Sequence, residues 1–513
     1  MKKKFFVILI SLLLICTIAC TSEKTENTQI NEKKENIQKI EEKEIVQSIE
    51  NKEIIQNIKK KDNIQKIEEK EIIQSNEEKE KHPFFPSLIN TVNGQPTTPD
   101  QFEDPIVCSG CHPEIYQQWK GSMHSNAFVD PIFTALWKLG AKETDGLTDN
   151  LCGGCHTAVG VLSNDLVFKD NEFQTSDIGK EGVHCDVCHT VTRSSFKDTP
   201  TNEPQNASLI LDPGNVKRGP YKDSESPHHE TEYSELHTKS EFCANCHQVY
   251  HPINNFHIER TYDEWKFSVY AQKGIQCQDC HMMPIDKAIE AAKTLTKPVN
   301  PGKPCIMGPE RENMFTHEFV GANFTVPALL NAERHAGIAV ERLKSAAELD
   351  IKTEQEFKPG KVATLTVKVT NVGAGHNLPT SLTEVRQMWL DIKVTDQNGN
   401  IIFTSGDLDD EGNIKEGSII FNAYAVDKDG HHTIKPWEIT RFEYNKTIPP
   451  KGSATEKFAM MLPSDLAGIL DIKAVLRYRS YPQAVANLLL GKDAPTLPVV
   501  DMTQKSIKVK IEK

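Results

Sequence analysis

Cys108-Ser-Gly-Cys111-His112 is the first of five stretches of one form, followed by Cys152-Gly-Gly-Cys155-His156, Cys185-Asp-Val-Cys188-His189, Cys243-Ala-Asn-Cys246-His247 and Cys277-Gln-Asp-Cys280-His281. Together they occupy 174 residues. Cys-x-x-Cys-His is the spacing of covalent c-type haem attachment: two thiols form thioethers to one edge of the macrocycle, and the adjoining imidazole becomes the proximal iron ligand. Cys-x-x-Cys also builds tetrahedral zinc sites and disulfide scaffolds, but neither needs His after the second Cys every time. Five copies therefore predict five haems c, with iron as the metal.

The motif run devotes roughly 35 residues to each haem, far too few to wrap each macrocycle in a hydrophobic core of its own. The haems must be the core. From about residue 83 to 350 the expected structure is therefore short helices, one after each motif, joined by long irregular connections such as 190–221.

Each iron needs a sixth ligand. Of 18 His, five are proximal, and several of the thirteen others sit in suggestive settings. His124 ends Trp119-Lys-Gly-Ser-Met-His124; His229 and His237 precede the fourth motif; His317 opens His317-Glu-Phe-Val-Gly-Ala-Asn323. His184 abuts Cys185, so it could serve a neighbouring iron but hardly the far face of that one. His335 lies on the edge of a helical apolar stripe and reads as packed; His251 and His257 stay open. Met123, Met282, Met283 and Met314 could ligate iron and raise its potential, but Met is more often filler.

The blocks from Cys108 to His124, Gly182 to His189, Ser240 to His247 and His317 to Asn323 resemble the bacterial multihaem cytochromes c related to the tetrahaem electron carrier of ammonia oxidisers. The resemblance covers about residues 100 to 350. It implies haems stacked in parallel and perpendicular pairs, two axial histidines on most irons, and His124, His229, His237 and His317 as distal ligands. It does not assign each to its haem.

Beyond residue 350 the pattern changes to the alternation of half-buried strands. Leu365, Val367 and Val369 alternate with polar residues, as do Met388 to Val394, Ile472 to Tyr478 and Ile507 to Ile511, with turn signals at Pro359-Gly360, Asn398-Gly399 and Asp429-Gly430. Residues 351–513 read as an all-β, immunoglobulin-like antiparallel sandwich. One of its loops, Gly373-Ala-Gly-His376-Asn-Leu-Pro-Thr380, has glycines that let backbone approach a flat partner. The same block recurs in exported multihaem cytochromes carrying such a sandwich, which makes His376 the fifth distal candidate. His431 and His432 read as solvated turn residues.

The amino-terminal segment is of another kind. Lys2 to Lys4, an apolar run from Phe5 to Ile15 and Thr17-Ile-Ala-Cys20 read as a signal peptide, residues 1–19, ending in a lipobox-like cut before a lipidated Cys20. Residues 20–82 form a charged tether in which Asn36 to Ile45 recurs at Asn63 to Ile72. It cannot bury a core; wholly helical, it would reach roughly 90 Å. Thr21 rather than Asp after the lipidated Cys leans toward the outer membrane.

The formal charge is −13, and nearly all the excess lies beyond residue 80, since the first 80 residues hold 15 Lys against 16 Asp or Glu. No basic footprint for nucleic acid exists, and a positively charged redox protein, such as another cytochrome, is the natural partner. The whole reads as a pentahaem electron-transfer lipoprotein facing the periplasm or cell surface. Two rivals are a multihaem reductase or oxidase of a small nitrogen or sulfur compound with one open iron, and a subunit of a conducting filament.

Overall fold

A computed structural model describes residues 82–511, apart from 200, 354–355 and 492–493. The expected signal peptide, Cys20 and nearly all of the tether lie outside the described residues. No helix among the described residues is long and apolar enough to cross a membrane.

Short helices carry four of the motifs and follow three of them. Helix Leu147–His156 ends in the second motif, Cys185–His189 is the third, Ser240–Ala244 opens the fourth and Gln278–His281 closes the fifth. Helices Pro113–Trp119, Ala158–Leu162 and Ile285–Thr294 follow the first, second and fifth motifs as expected, whereas strands Val191–Ser194 and Val249–Tyr250 follow the third and fourth. Helical backbone puts the second Cys and the His on adjoining directions, so both reach the same side. Gly154 within the second motif is fixed by packing: a Cβ there would stand 2.0 Å from Ser87 Oγ. Ahead of that helix, Pro131–Glu143 is capped by Asp130, whose carboxylate accepts from the Ile132 and Phe133 amides.

The 190–221 connection is not irregular. It contains strands Val191–Ser194, Leu209–Leu211 and Val216–Gly219, the last pairing in parallel with Glu230–Tyr233. Strands of three or four residues carry too little alternation to be legible. The apolar residues of this half form small separate clusters, such as Phe84, Val159, Leu162, Val187 and Leu211, instead of one core.

Helix Glu333–Ala346 runs without a linker into strand Ala347–Thr353. That strand opens a three-stranded sheet with Val362–Asn371 and Ser453–Met461. A five-stranded sheet orders Ile401–Ser405, Gln387–Thr395, Ile469–Arg479 and Val500–Lys510, with Ile420–Phe421 pairing Gln387–Thr395. All these pairings are antiparallel. The alternating residues Leu365, Val367 and Val369 of one sheet and Leu390, Ile392 and Val394 of the other lie buried in one apolar core. Phe324, Ala339 and Leu343 belong to the same core, so helix Glu333–Ala346 is continuous with the sheets.

Glu384, in the turn Thr383–Val385 beside these sheets, is buried with neither carboxylate oxygen hydrogen-bonded by its side chain. Burial raises its carboxyl to about 7 from the ordinary 4.5. The folded state therefore holds this proton more tightly than the unfolded chain. The stability it contributes is complete below about pH 4.5 and is lost as the pH rises through about 7. Glu384→Gln should raise the denaturant midpoint at pH 8 while leaving it little changed at pH 4.5, measured by the unfolding of Trp fluorescence.

Candidate functional site

All ten motif cysteines and all five motif histidines line one continuous cavity of about 1380 Å³. His124, His229, His237, His317 and His376 line it too. The eleven described cysteines form no disulfide.

Every proximal imidazole is held through Nδ1 by a residue distant in the chain. His112 donates to the Pro304 carbonyl (2.6 Å), His156 to Ala127 (2.9 Å), His189 to Arg218 (2.6 Å) and His281 to Val320 (2.9 Å). His247 differs: its Nδ1 faces the Glu259 carboxylate at 3.5 Å. In each case the partner fixes the ring and leaves Nε2 for a metal.

Two imidazoles capping one first-row metal, with bonds of about 2 Å each, stand with ring centres roughly 6 Å apart. Three pairs do so: His247 with His124 at 6.2 Å, His189 with His317 at 6.4 Å, and His281 with His376 at 6.2 Å. His317 and His376 donate Nδ1–H to the Phe315 and Asn377 carbonyls, both at 3.0 Å, as a ligand using Nε2 would. Burial, then the neighbouring histidines, pushes His124 down to about 3, and burial does the same to His281 and His317. These rings are neutral, the form that binds metal. His247 alone goes the other way: burial works against its charge, but Glu259 outweighs it and holds the ring up at about 9.

His229 donates Nδ1–H to the Glu230 carbonyl at 2.9 Å, which leaves its Nε2 free. Its neighbour His228 lies 3.8 Å from Glu103, five residues before the first motif. His237 stacks 5.6 Å from His189, yet its Nε2 donates to the Cys188 carbonyl and only a buried, unpartnered Nδ1 remains. His156 has no such imidazole opposite it among the described residues; Phe133 stacks on its ring at 3.5 Å. His335 donates to the Gln118 carbonyl and His251 to that of Trp437. His184 Nδ1 accepts from the Asp186 amide, and its buried Nε2 on the cavity has no partner. His257 stacks on Tyr250 with its Nε2 likewise unpartnered. His431 and His432 are exposed in a turn.

The sheet-bearing half reaches the cavity through the 373–380 loop. Asn371 Oδ1 accepts from Ala374 N, and Glu264 accepts from Asn377 N and Thr380 Oγ1. A Cβ on Gly375 would stand 3.4 Å from the Tyr270 ring. The loop is thereby clamped against helix Thr261–Lys266, with His376 facing His281.

Motif thiols also meet one another. Cys108 neighbours Cys185, Cys246 neighbours Cys155, and Cys243 neighbours Cys277. The third motif is further tied by Asp186, which is 1 % exposed and accepts from Lys217 Nζ (2.8 Å) and the Glu103 amide (2.7 Å).

Sequence reasoning missed Glu259, Asp186 and Lys217. A carboxylate two residues after His257 in an acidic chain carries no signal of its own, and the spacer positions of a Cys-x-x-Cys-His motif are normally read as filler.

Residues 107–190 match the family model described as cytochrome c554 and c-prime. Among solved structures, the chain is similar to a penta-heme cytochrome c552 from Thermochromatium tepidum at 17% identity, covering 79% of this chain and 99% of that one with a TM-score of 0.54. The fold is that of a multihaem cytochrome c. A CARDB domain from Pyrococcus furiosus matches 32% of this chain and 87% of its own at 12% identity, but its TM-score of 0.16 carries no argument about the sheets. No curated protein matches the chain. The donor set fits haem c: paired thiols with an adjoining imidazole, five times over, on one cavity, with neutral buried rings across from three of them.

Because Asp186 is the buried anion joining the first and third motifs, Asp186→Ala leaves Lys217 without its partner and should cost about 3 kcal/mol. Denaturant unfolding of the variant against the parent protein, both haem-loaded, checks this.

Proposed function

We propose that this protein is an electron carrier holding five haems c, four of them capped by two histidines. The observation that carries the reading is the set of imidazole pairs at 6.2–6.4 Å across the cavity. Bound haem supplies a metal that passes between ferric and ferrous states. The chain's own residues attach it, cap it and keep water from it. His124 serves with His247, His317 with His189 and His376 with His281. His229 serves with His112, supported by the contact between His228 and Glu103 and by its free Nε2. His237 keeps a place beside His189, where its unpartnered Nδ1 makes it the alternative cap for that iron.

Two imidazoles on each of these four irons leave no vacant coordination position there and favour low potentials, set further by burial and nearby charge. The meeting of thiols from the first and third, second and fourth, and fourth and fifth motifs supports close succession of carriers, as electron hopping requires. The protein is exported and tethered by lipid at Cys20, on the outer membrane facing the periplasm or cell surface. Its partners are redox proteins with a positive docking face, since the chain carries −13 before propionates are counted.

A second reading, a reductase or oxidase of a small nitrogen or sulfur compound, is favoured by one observation: His156 faces Phe133 rather than an imidazole. In that reading the second iron is the open one.

Intact mass spectrometry of the mature protein should find five covalent haem masses, and fewer would overturn the proposal. Electron paramagnetic resonance of the oxidised protein should show low-spin ferric signals from at least four haems. A high-spin signal from one haem in the intact protein favours the enzyme reading. His376→Ala should convert one low-spin signal to high spin without loss of haem mass.

A further inference from the structure

Four of the five proximal histidines give Nδ1–H to a main-chain carbonyl, a neutral acceptor. His247 alone faces a carboxylate, that of Glu259. Glu259 ends strand His257–Glu259 and is 8 % exposed, so water does not shield it. Thr261 Oγ1 donates to its Oε1 at 3.4 Å, which helps hold the carboxylate on the histidine side. Across the cavity His124 lies between His247 and Phe319, with ring centres 6.2 and 4.5 Å away. The distal side thus presents His124 and Phe319 rings rather than a carboxylate, while Arg386 on the cavity wall also interacts with Glu259.

Position gives this asymmetry a consequence. The fourth motif's two cysteines neighbour cysteines of two other motifs, Cys246 beside Cys155 and Cys243 beside Cys277. Cys188 of the third motif interacts electrostatically with both Cys243 and Cys246. Among the described motifs the fourth is the one in touch with three others, so charge moving through the array crosses it.

We propose that Glu259 is a positioning residue that lowers the potential of the fourth haem, making the junction of the array its least readily reduced member. This rests on the five-haem reading above. A carboxylate at Nδ1 draws the ring proton toward itself and makes Nε2 a stronger donor, which favours ferric over ferrous iron. Electrons then cross the junction without resting on it, and the outer haems serve as the places where charge collects.

The test is spectroelectrochemical titration of the haem-loaded full chain, parent against Glu259→Gln and Glu259→Asp, with low-spin resonance signals followed at each potential. The amide keeps the size of the side chain and removes its charge. The shorter acid keeps the charge and withdraws it from Nδ1. The lowest-potential component should move upward in Glu259→Gln and by a smaller amount in Glu259→Asp, with the g-values of that same signal changing and the other four components in place. Curves and g-values that superimpose on the parent overturn the proposal, as does an equal shift of all five components, which would mark a general loss of negative charge. If the Gln variant does not accumulate, the Asp variant decides by the same criteria. Haem mass measured on the same samples keeps the premise separate: fewer than five haems in the parent refutes the five-haem reading, whatever the titration shows.

Discussion

The structure depends on five imidazoles being held rigid from behind. Each motif sits on a helix of at most ten residues, too short to fix a side chain by itself. The Nδ1 partner supplies what the helix cannot. For His112 it comes from 192 residues away, and for His156, His189 and His281 from 29 to 39 residues away. These contacts also explain why the connections are long and why they are not irregular. The 190–221 segment has to deliver the Arg218 carbonyl to His189, and its short strands, together with the ion pair of Lys217 with Asp186, hold that carbonyl in register.

A second consequence concerns the relation between the two halves. The sheets are not an appendage hung on a finished cytochrome. Their core takes in helix Glu333–Ala346, and their 373–380 loop sets His376 opposite His281. Trp437 and Lys435 add contacts from the same half to Glu143 at the end of the helix that carries Phe133. The cavity wall is thus built from both halves, which is why the apolar clusters around the motifs can stay small. An apolar cavity of this kind disfavours charge, and most of its histidines are accordingly neutral. Outside the cavity, burial likewise holds protons on Glu264 and Glu384, raising each carboxyl to about 7.

The five Cys-x-x-Cys-His motifs were legible residue by residue, because the thioether formation and proximal ligation they imply demand neighbours in the chain. The sheets were legible for a related reason. Alternation in Leu365 to Val369 and Met388 to Val394 records which face of each strand is buried, and burial is what the sequence period reports. His335 also read correctly as a packed histidine from its place on a helical stripe. The short strands between 190 and 221 were not legible, being too short to carry a period. Neither was the helix-to-strand passage at Ala346 and Ala347, where no Gly or Pro marks the change.

By itself, then, the sequence determined how many Cys-x-x-Cys-His motifs the chain has, which imidazole belongs to each, and which strands of the sheets bury one face. Only the tertiary structure decided which of thirteen other histidines comes to face which motif, and that His247 receives a carboxylate where its four counterparts receive carbonyls. The physical reason is that covalent attachment is a local constraint written in spacing, whereas a facing imidazole or an Nδ1 acceptor needs only to arrive in the right place. Any stretch of chain long enough to reach can deliver it.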